Sequence, residues 1–439
     1  MLEWLTSREA LALRTAEQVS AYIERHLKWN MAAAMVDAMF YALAAQIMST
    51  ETVIPLLLTR LGASTVLLGV ATALVQLGVL LPQLLMAGVT EGLRYKKPIS
   101  LISGAIERGS FFLVGLAVWF WGSSRPGLVL AIYMVLRTLG SISLGMIIPA
   151  WSTMIGKVIP TRKRGQVFGL GRGIGALVGV GGAMLAGHLL ETLAFPRGFA
   201  WCLMLGSAAL FVSWAGLAST REPPDLVVKP RPPLRAYLSQ LPALLRRDRN
   251  YTWFVAARMI LVLGTMAMAF LVVHGASRFE LSGMQIGGIT ATVAVVQAAM
   301  YLLWGAVADR YGHKAVLCGC GLMMALAVAC AALTPVVEGL YVAMAAAGAV
   351  VAGEFISGSN ILLEFAPPAD RPTYIGLTST LLAPVRALAP VLGGALASGV
   401  GYGGLFAAAA GLSLIGALLL ATRVADPRIR GPERAGATG

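Results

Sequence analysis

The 439-residue chain is 58% apolar and 12% charged, with a formal net charge of +14. Soluble proteins average about 25% charged residues, so this chain has too few charges to cover a soluble surface. That excludes a soluble enzyme, a disordered chain and a coiled coil. Continuous apolar runs also disfavour an outer-membrane barrel, whose strands alternate polar and apolar residues. The remaining class is an all-α polytopic membrane protein, and its basic residues confined to short loops point to membrane topology rather than nucleic acid.

In chain order, residues 1–29 carry Glu3, Glu9, Glu17 and Glu24 among Arg8, Arg14, Arg25 and Lys28, which is not the pattern of a signal peptide. Thr6 and Glu9 have capping-box spacing and predict an amphipathic helix through about Leu27, lying along the membrane face. Twelve apolar runs follow, each long enough for a spanning helix of about 20 residues: 30–50, 66–88, 98–121, 127–150, 166–187, 198–218, 252–273, 284–306, 314–334, 339–362, 374–398 and 402–422. A basic, proline-rich stretch at 220–250 separates six spans from six.

The expected domains are an amphipathic segment (1–29), a six-helix bundle (30–219), a central loop (220–250), a second six-helix bundle (251–423) and a tail (424–439). With both termini cytoplasmic, the cytoplasmic segments hold 25 Lys and Arg residues and the opposite side holds 4. By the positive-inside rule this orients the chain in a cytoplasmic membrane. Cys202, Cys318, Cys320 and Cys330 lie in apolar runs and read as small core residues. The four histidines are scattered, and no metal site or cofactor is expected.

The two halves echo each other. Gly88 precedes Lys97 by nine residues with Glu91 and Arg94 between, and Gly305 precedes Lys314 by nine with Asp309 and Arg310 between. Halves built as repeats point to a secondary transporter with its site near the midplane. In these features the sequence resembles the major facilitator superfamily across essentially the whole chain. Gly305-x-x-x-Asp309-Arg310-x-Gly312-x-Lys314 is similar to that family's loop signature, and the first-half copy is degenerate, with Gly92 at the Asp position. Arg137-x-x-Gly140 is similar to its second motif but one residue shorter. Pro390-x-x-Gly393-Gly394 is similar to part of its antiporter motif, which the family carries in span 5 rather than span 11.

The resemblance implies two pseudo-symmetric six-helix bundles and no enzymatic activity. It implies Gly305, Asp309, Arg310, Gly312 and Lys314 as a gating loop. In physical terms, Gly305 and Gly312 would permit close helix approach and a tight turn, Asp309 would meet a helix N-terminus, and Arg310 and Lys314 would hold the lipid surface.

Eight ionisable residues lie well inside spans: Asp37, Glu107, Arg108, Arg137, Arg172, Arg258, Glu354 and Arg386. Each costs about 2.5–3.5 kcal/mol on insertion scales if unpaired, so each should face water or a partner. Their surplus of positive charge favours an anionic or zwitterionic substrate. Spans 1, 4, 7 and 10, which line the cavity in the family, carry Asp37, Arg137, Arg258 and Glu354. Estimated depths predict two pairs, Asp37 with Arg137 and Arg258 with Glu354. Tyr41 lies one turn after Asp37 on the same face, and Glu107, Arg108 and Arg386 complete the expected substrate and proton-coupling cavity.

The leading expectation is a proton-coupled exporter of a drug-like molecule or metabolite, acting as a monomer in the lipid bilayer. The rivals are a proton symporter for a nutrient, organic acid or lipid-like substrate, and a transporter-fold protein that assists assembly or senses a ligand without turnover. No nucleotide-binding loop supports direct ATP drive.

Overall fold

The computed structural model describes residues 8–226, 248–365 and 371–426. The side chains of residues 161–173, Arg172 among them, lie outside the described set, as does most of the expected central loop. Every described element is helical: α1 (Arg8–Ala12), α2 (Ala16–Ile47), α3 (Val53–Arg60), α4 (Thr65–Glu91), α5 (Lys97–Trp121), α6 (Pro126–Val158), α7 (Thr161–Thr192) and α8 (Arg197–Ser219), then α9 (Arg249–Gly264), α10 (Met268–Phe279), α11 (Gly283–Tyr311), α12 (His313–Leu333), α13 (Val337–Ser357), α14 (Ile361–Phe365), α15 (Arg371–Gly399) and α16 (Gly401–Arg423). Among the described residues, twelve stretches are long and apolar enough to cross a membrane, with α9 and α10 forming one of them. The chain is an all-α polytopic membrane protein with twelve spans.

The helices differ from the expected spans in several places, two of them at the first span of each half. The expected break near residue 29 is absent, and α2 runs unbroken from Ala16 to Ile47. Its capping box is formed by Thr15 and Gln18: the Gln18 N–H donates to Thr15 Oγ1 at 3.3 Å, and the Thr15 N–H donates to Gln18 Oε1 at 3.2 Å. Thr6 lies outside the described residues. No Gly or Pro interrupts residues 16–47, so nothing stops the amphipathic turn from continuing into the span. Span 7, by contrast, is broken by a 3₁₀ turn at Thr265–Ala267 between α9 and α10. Thr265 Oγ1 donates to the Val262 carbonyl at 2.7 Å, tightening the chain there.

Contacts divide the chain into two units: Met1–Ser49 with Leu74–Pro232, and Thr50–Ala73 with Pro233–Gly439. In the first, α7 lies close along α2, where a Cβ at Gly182 would meet the Leu43 carbonyl oxygen at 2.9 Å. Ala34, Leu101, Met154, Ile155 and Leu217 form part of its apolar core. In the second, Tyr251, Phe254, Leu317, Tyr374 and Leu420 do the same. Residues 50–73 pack on second-half helices: the Thr52 and Thr290 hydroxyls lie 2.6 Å apart, and Thr65 Oγ1 donates to the Gly394 carbonyl at 3.1 Å.

Each half of the chain closes its first span onto its last by the same device. The Asn30 carboxamide donates to the Arg221 carbonyl at 3.2 Å and accepts from the Arg221 N–H at 2.8 Å. The Asn250 carboxamide donates to the Ala425 carbonyl at 3.1 Å and accepts from the Ala425 N–H at 2.8 Å. Both clasps satisfy main-chain groups left over at a helix end.

Candidate functional site

The first unit buries a polar network among its spans. Asp37 on α2 is 6% exposed. Its Oδ1 accepts from Ser213 Oγ at 2.5 Å and its Oδ2 accepts from Trp151 Nε1 at 2.9 Å. Arg108, on α5, donates from Nη2 to Ser213 Oγ at 3.4 Å, from Nη1 to Glu107 Oε2 at 2.9 Å, and from Nε to the Leu210 carbonyl at 2.8 Å. Ser213 therefore links a carboxylate on α2 to a guanidinium on α5. Glu107 and Arg108 cancel each other's charge inside the bundle. No cation lies within ion-pairing distance of Asp37 among the described residues; Arg108 shares the Ser213 hydroxyl with it and acts on it through its charge from farther away.

Arg137 does not pair with Asp37, contrary to the expectation from depth. Its Nη1 donates to Ser110 Oγ at 2.7 Å, and its guanidinium lies 3.5 Å from the Phe111 ring centroid. The α6 side chain that reaches Asp37 is Trp151, 14 residues beyond Arg137 (151 − 137) and so about 21 Å farther along the axis. Depths counted from hydropathy edges fail because α2 begins well before residue 30 and α6 continues past residue 150. Tyr41 lies one turn from Asp37 and is 38% exposed. Ser213, Trp151, Ser110 and Phe111 escaped the sequence reading, since uncharged residues in apolar runs carry no signal of their partners.

In the second unit the expected pair is present. Arg258 Nη1 and Nη2 donate to Glu354 Oε1 and Oε2 at 2.5 and 2.7 Å, in the bidentate fork geometry of guanidinium and carboxylate. Arg258 is fully buried. Arg386, on α15, stands 4.0 Å from Glu354 Oε2 and is more exposed.

The loop signature lies at the α11–α12 junction. Gly312 has a φ of +88°, which makes it the turn that the sequence requires. Gly305 does not fulfil its expected role within this unit, because a Cβ there would meet open space. Lys314 Nζ donates to the carbonyls of Ala421 and Val424 at 2.9 and 2.6 Å, capping the end of α16. Arg310 lies against the Tyr311 ring, 5.3 Å from its centroid. Asp309 falls in the last turn of α11. In the degenerate first-half copy, Arg94 and Tyr95 donate to the carbonyls of Leu13 and Ala10, so the N-terminal segment occupies that loop.

The family model of the Major Facilitator Superfamily matches residues 30–287 and 259–438. The chain belongs to the major facilitator superfamily. It is not an enzyme by that membership, and its fold is that of a membrane transporter. No curated protein matches it in sequence. Among solved structures, it is similar to a point mutant of the nucleoside transporter NupG, with a TM-score of 0.72 at 13% identity, covering 90% of this chain and 99% of that one. A D-xylose-proton symporter matches with a TM-score of 0.64 at 14% identity, covering 93% and 99%. A bacterial homologue of the human lysosomal transporter Spinster matches at 0.61 and 15% identity, covering 93% and 96%. At these identities the superfamily likeness is one of fold.

Proposed function

We propose that the chain is a proton-coupled secondary transporter that moves a small solute by alternating access, with Asp37 as the proton-carrying group. The observation that carries this reading is the position of Asp37: buried in a span, held by two neutral donors and, among the described residues, by no adjacent cation. An ionised Asp37 accepts from both Ser213 and Trp151. A protonated Asp37 would donate to Ser213, whose hydroxyl hydrogen must then turn away. Because Ser213 also accepts from Arg108, a proton on Asp37 would alter the hydrogen bonding of the Glu107–Arg108 pair on another helix. Loading and unloading a proton would in this way bias the packing of α2, α5 and α8 against one another.

The direction we propose is export, supported by the likeness of Pro390-x-x-Gly393-Gly394 to the antiporter motif. We also place both termini on the cytoplasmic side of a cytoplasmic membrane, on the 25-to-4 asymmetry of Lys and Arg. Flux into and out of proteoliposomes, with and without an imposed pH gradient, across cationic, neutral and anionic solutes, tests the reading. Flux that ignores the gradient for every transported solute would refute proton coupling.

A further inference from the structure

We propose that Arg386 is the anchor for an anionic group, a carboxylate or a phosphate, on the transported solute. The inference rests on the transport reading and adds the charge class of the solute.

Arg386 lies deep in its span, 15 residues after Arg371 and 13 before Gly399 on α15 (386 − 371 and 399 − 386). An ionisable group at that depth is expected to meet a partner, a water-filled cavity or a ligand. Its neighbour Glu354 is already committed: each carboxylate oxygen accepts from one Arg258 nitrogen in a two-bond fork. Arg386 approaches Glu354 only to 4.0 Å, beyond hydrogen-bond distance, and its side chain is 39% exposed. Its guanidinium donates no hydrogen bond to any described residue, although it offers five N–H donors.

Two further features mark the place. Arg258 Nε is buried and also lacks an acceptor among the described residues. Pro390 has no N–H to give to the Arg386 carbonyl one turn earlier, and Pro384 lies two residues before Arg386. The helix runs on through both prolines, but its hydrogen-bond ladder lacks the bond to the Arg386 carbonyl. The three groups Arg258, Glu354 and Arg386 carry one positive charge in excess, with the excess on the more exposed member. Planar anions with two oxygens match an unfilled guanidinium fork. A cation at the same place would meet that excess charge as repulsion.

The test uses the full chain in lipid nanodiscs and four matched probes: benzoate, phenyl phosphate, benzamide and benzylamine. Binding is read as the shift in melting temperature and as quenching of intrinsic tryptophan fluorescence. The wild-type protein should bind one or both anions and discriminate against the amide and the amine. Arg386→Gln should weaken anion binding by about 10- to 100-fold, the scale of a charge-assisted hydrogen bond. Arg386→Lys should keep part of it and serves as the folded control if the Gln variant is unstable. The separate responses to benzoate and phenyl phosphate tell the two anion classes apart. Failure of both anions to bind at millimolar concentration, preference for benzylamine, or equal anion binding in Arg386→Gln would overturn the proposal. Flux is scored separately: gradient-driven flux insensitive to Arg386→Gln would sink the anchor and leave the transport reading intact, whereas anion binding without any flux would do the reverse.

Discussion

Lys97 and Lys314 perform the same task in the two halves of the chain. Lys97 Nζ, at the start of α5, donates to the Thr220 carbonyl at 3.0 Å just past the end of α8. Lys314 Nζ, at the start of α12, donates to the Ala421 and Val424 carbonyls at the end of α16. Each ammonium sits where a helix dipole and unpaired carbonyls favour a cation. The lysine shared by the two loop copies thus fastens the third span of each half to the sixth. Replacing either with Ala should lower stability by about 1 kcal/mol, and Lys→Arg should restore most of it, as read by thermal denaturation in detergent. Equal melting of Lys314→Ala and wild type would refute this role.

The asparagine clasps should behave in parallel. Asn30→Ala and Asn250→Ala each remove two partly buried hydrogen bonds to main chain. Each should cost about 1–3 kcal/mol, and Asp at either position should fail to substitute, since it cannot donate to the carbonyl. Resistance of the first and last spans of each half to limited proteolysis reports the loss.

This repeat was legible in the sequence only through its loops. The Gly-to-Lys spacing pointed to related halves, and the number of spans followed from hydropathy alone. The clasping asparagines were not found, because an Asn near a span end looks like any interfacial polar residue. The Arg258–Glu354 pair was found because two long charged side chains at similar depth tolerate error in rotation. Asp37 and Arg137 failed that same reasoning because α2 starts well before, and α6 runs well past, the edges of their apolar runs, so the α6 residue level with Asp37 is Trp151 and not Arg137. The side chains that hold Asp37, a serine and a tryptophan, carry no charge that could be matched from sequence.

The Arg258–Glu354 pair should be stabilising only as a pair. Glu354→Gln leaves a guanidinium buried with weakened compensation and should destabilise the protein by about 3 kcal/mol. A double change to Met at both positions should recover much of that loss, because an apolar pair needs no compensation. The comparison is made by thermal denaturation of purified variants. A double variant as unstable as the single would show that the charges themselves hold the bundle.

The two glycines of the loop signature and Gly394 of α15 should separate. Gly312→Ala places a side chain at φ +88° and should cost about 1–2 kcal/mol. Gly305→Ala enters open space and should leave stability unchanged. Gly394→Ala should be harmful, since its Cβ would lie 2.3 Å from the Thr65 carbonyl oxygen. Melting temperatures of the three variants, ranked in that way, check the packing.

Orientation is tested by single-cysteine labelling. In intact cells, an impermeant thiol reagent should label a cysteine at Ser123, in the short α5–α6 connection, and should leave a cysteine at Ser239 unlabelled until the membrane is opened. Labelling of Ser239→Cys in sealed cells would reverse the topology.

The proton-carrying role of Asp37 is tested most directly by flux through Asp37→Asn in proteoliposomes. The Asn side chain keeps an acceptor for Ser213 or Trp151 but carries no exchangeable carboxyl proton. Uptake driven by an imposed pH gradient should be abolished in this variant while movement of solute down its own gradient continues. Undiminished pH-driven flux in Asp37→Asn would contradict it.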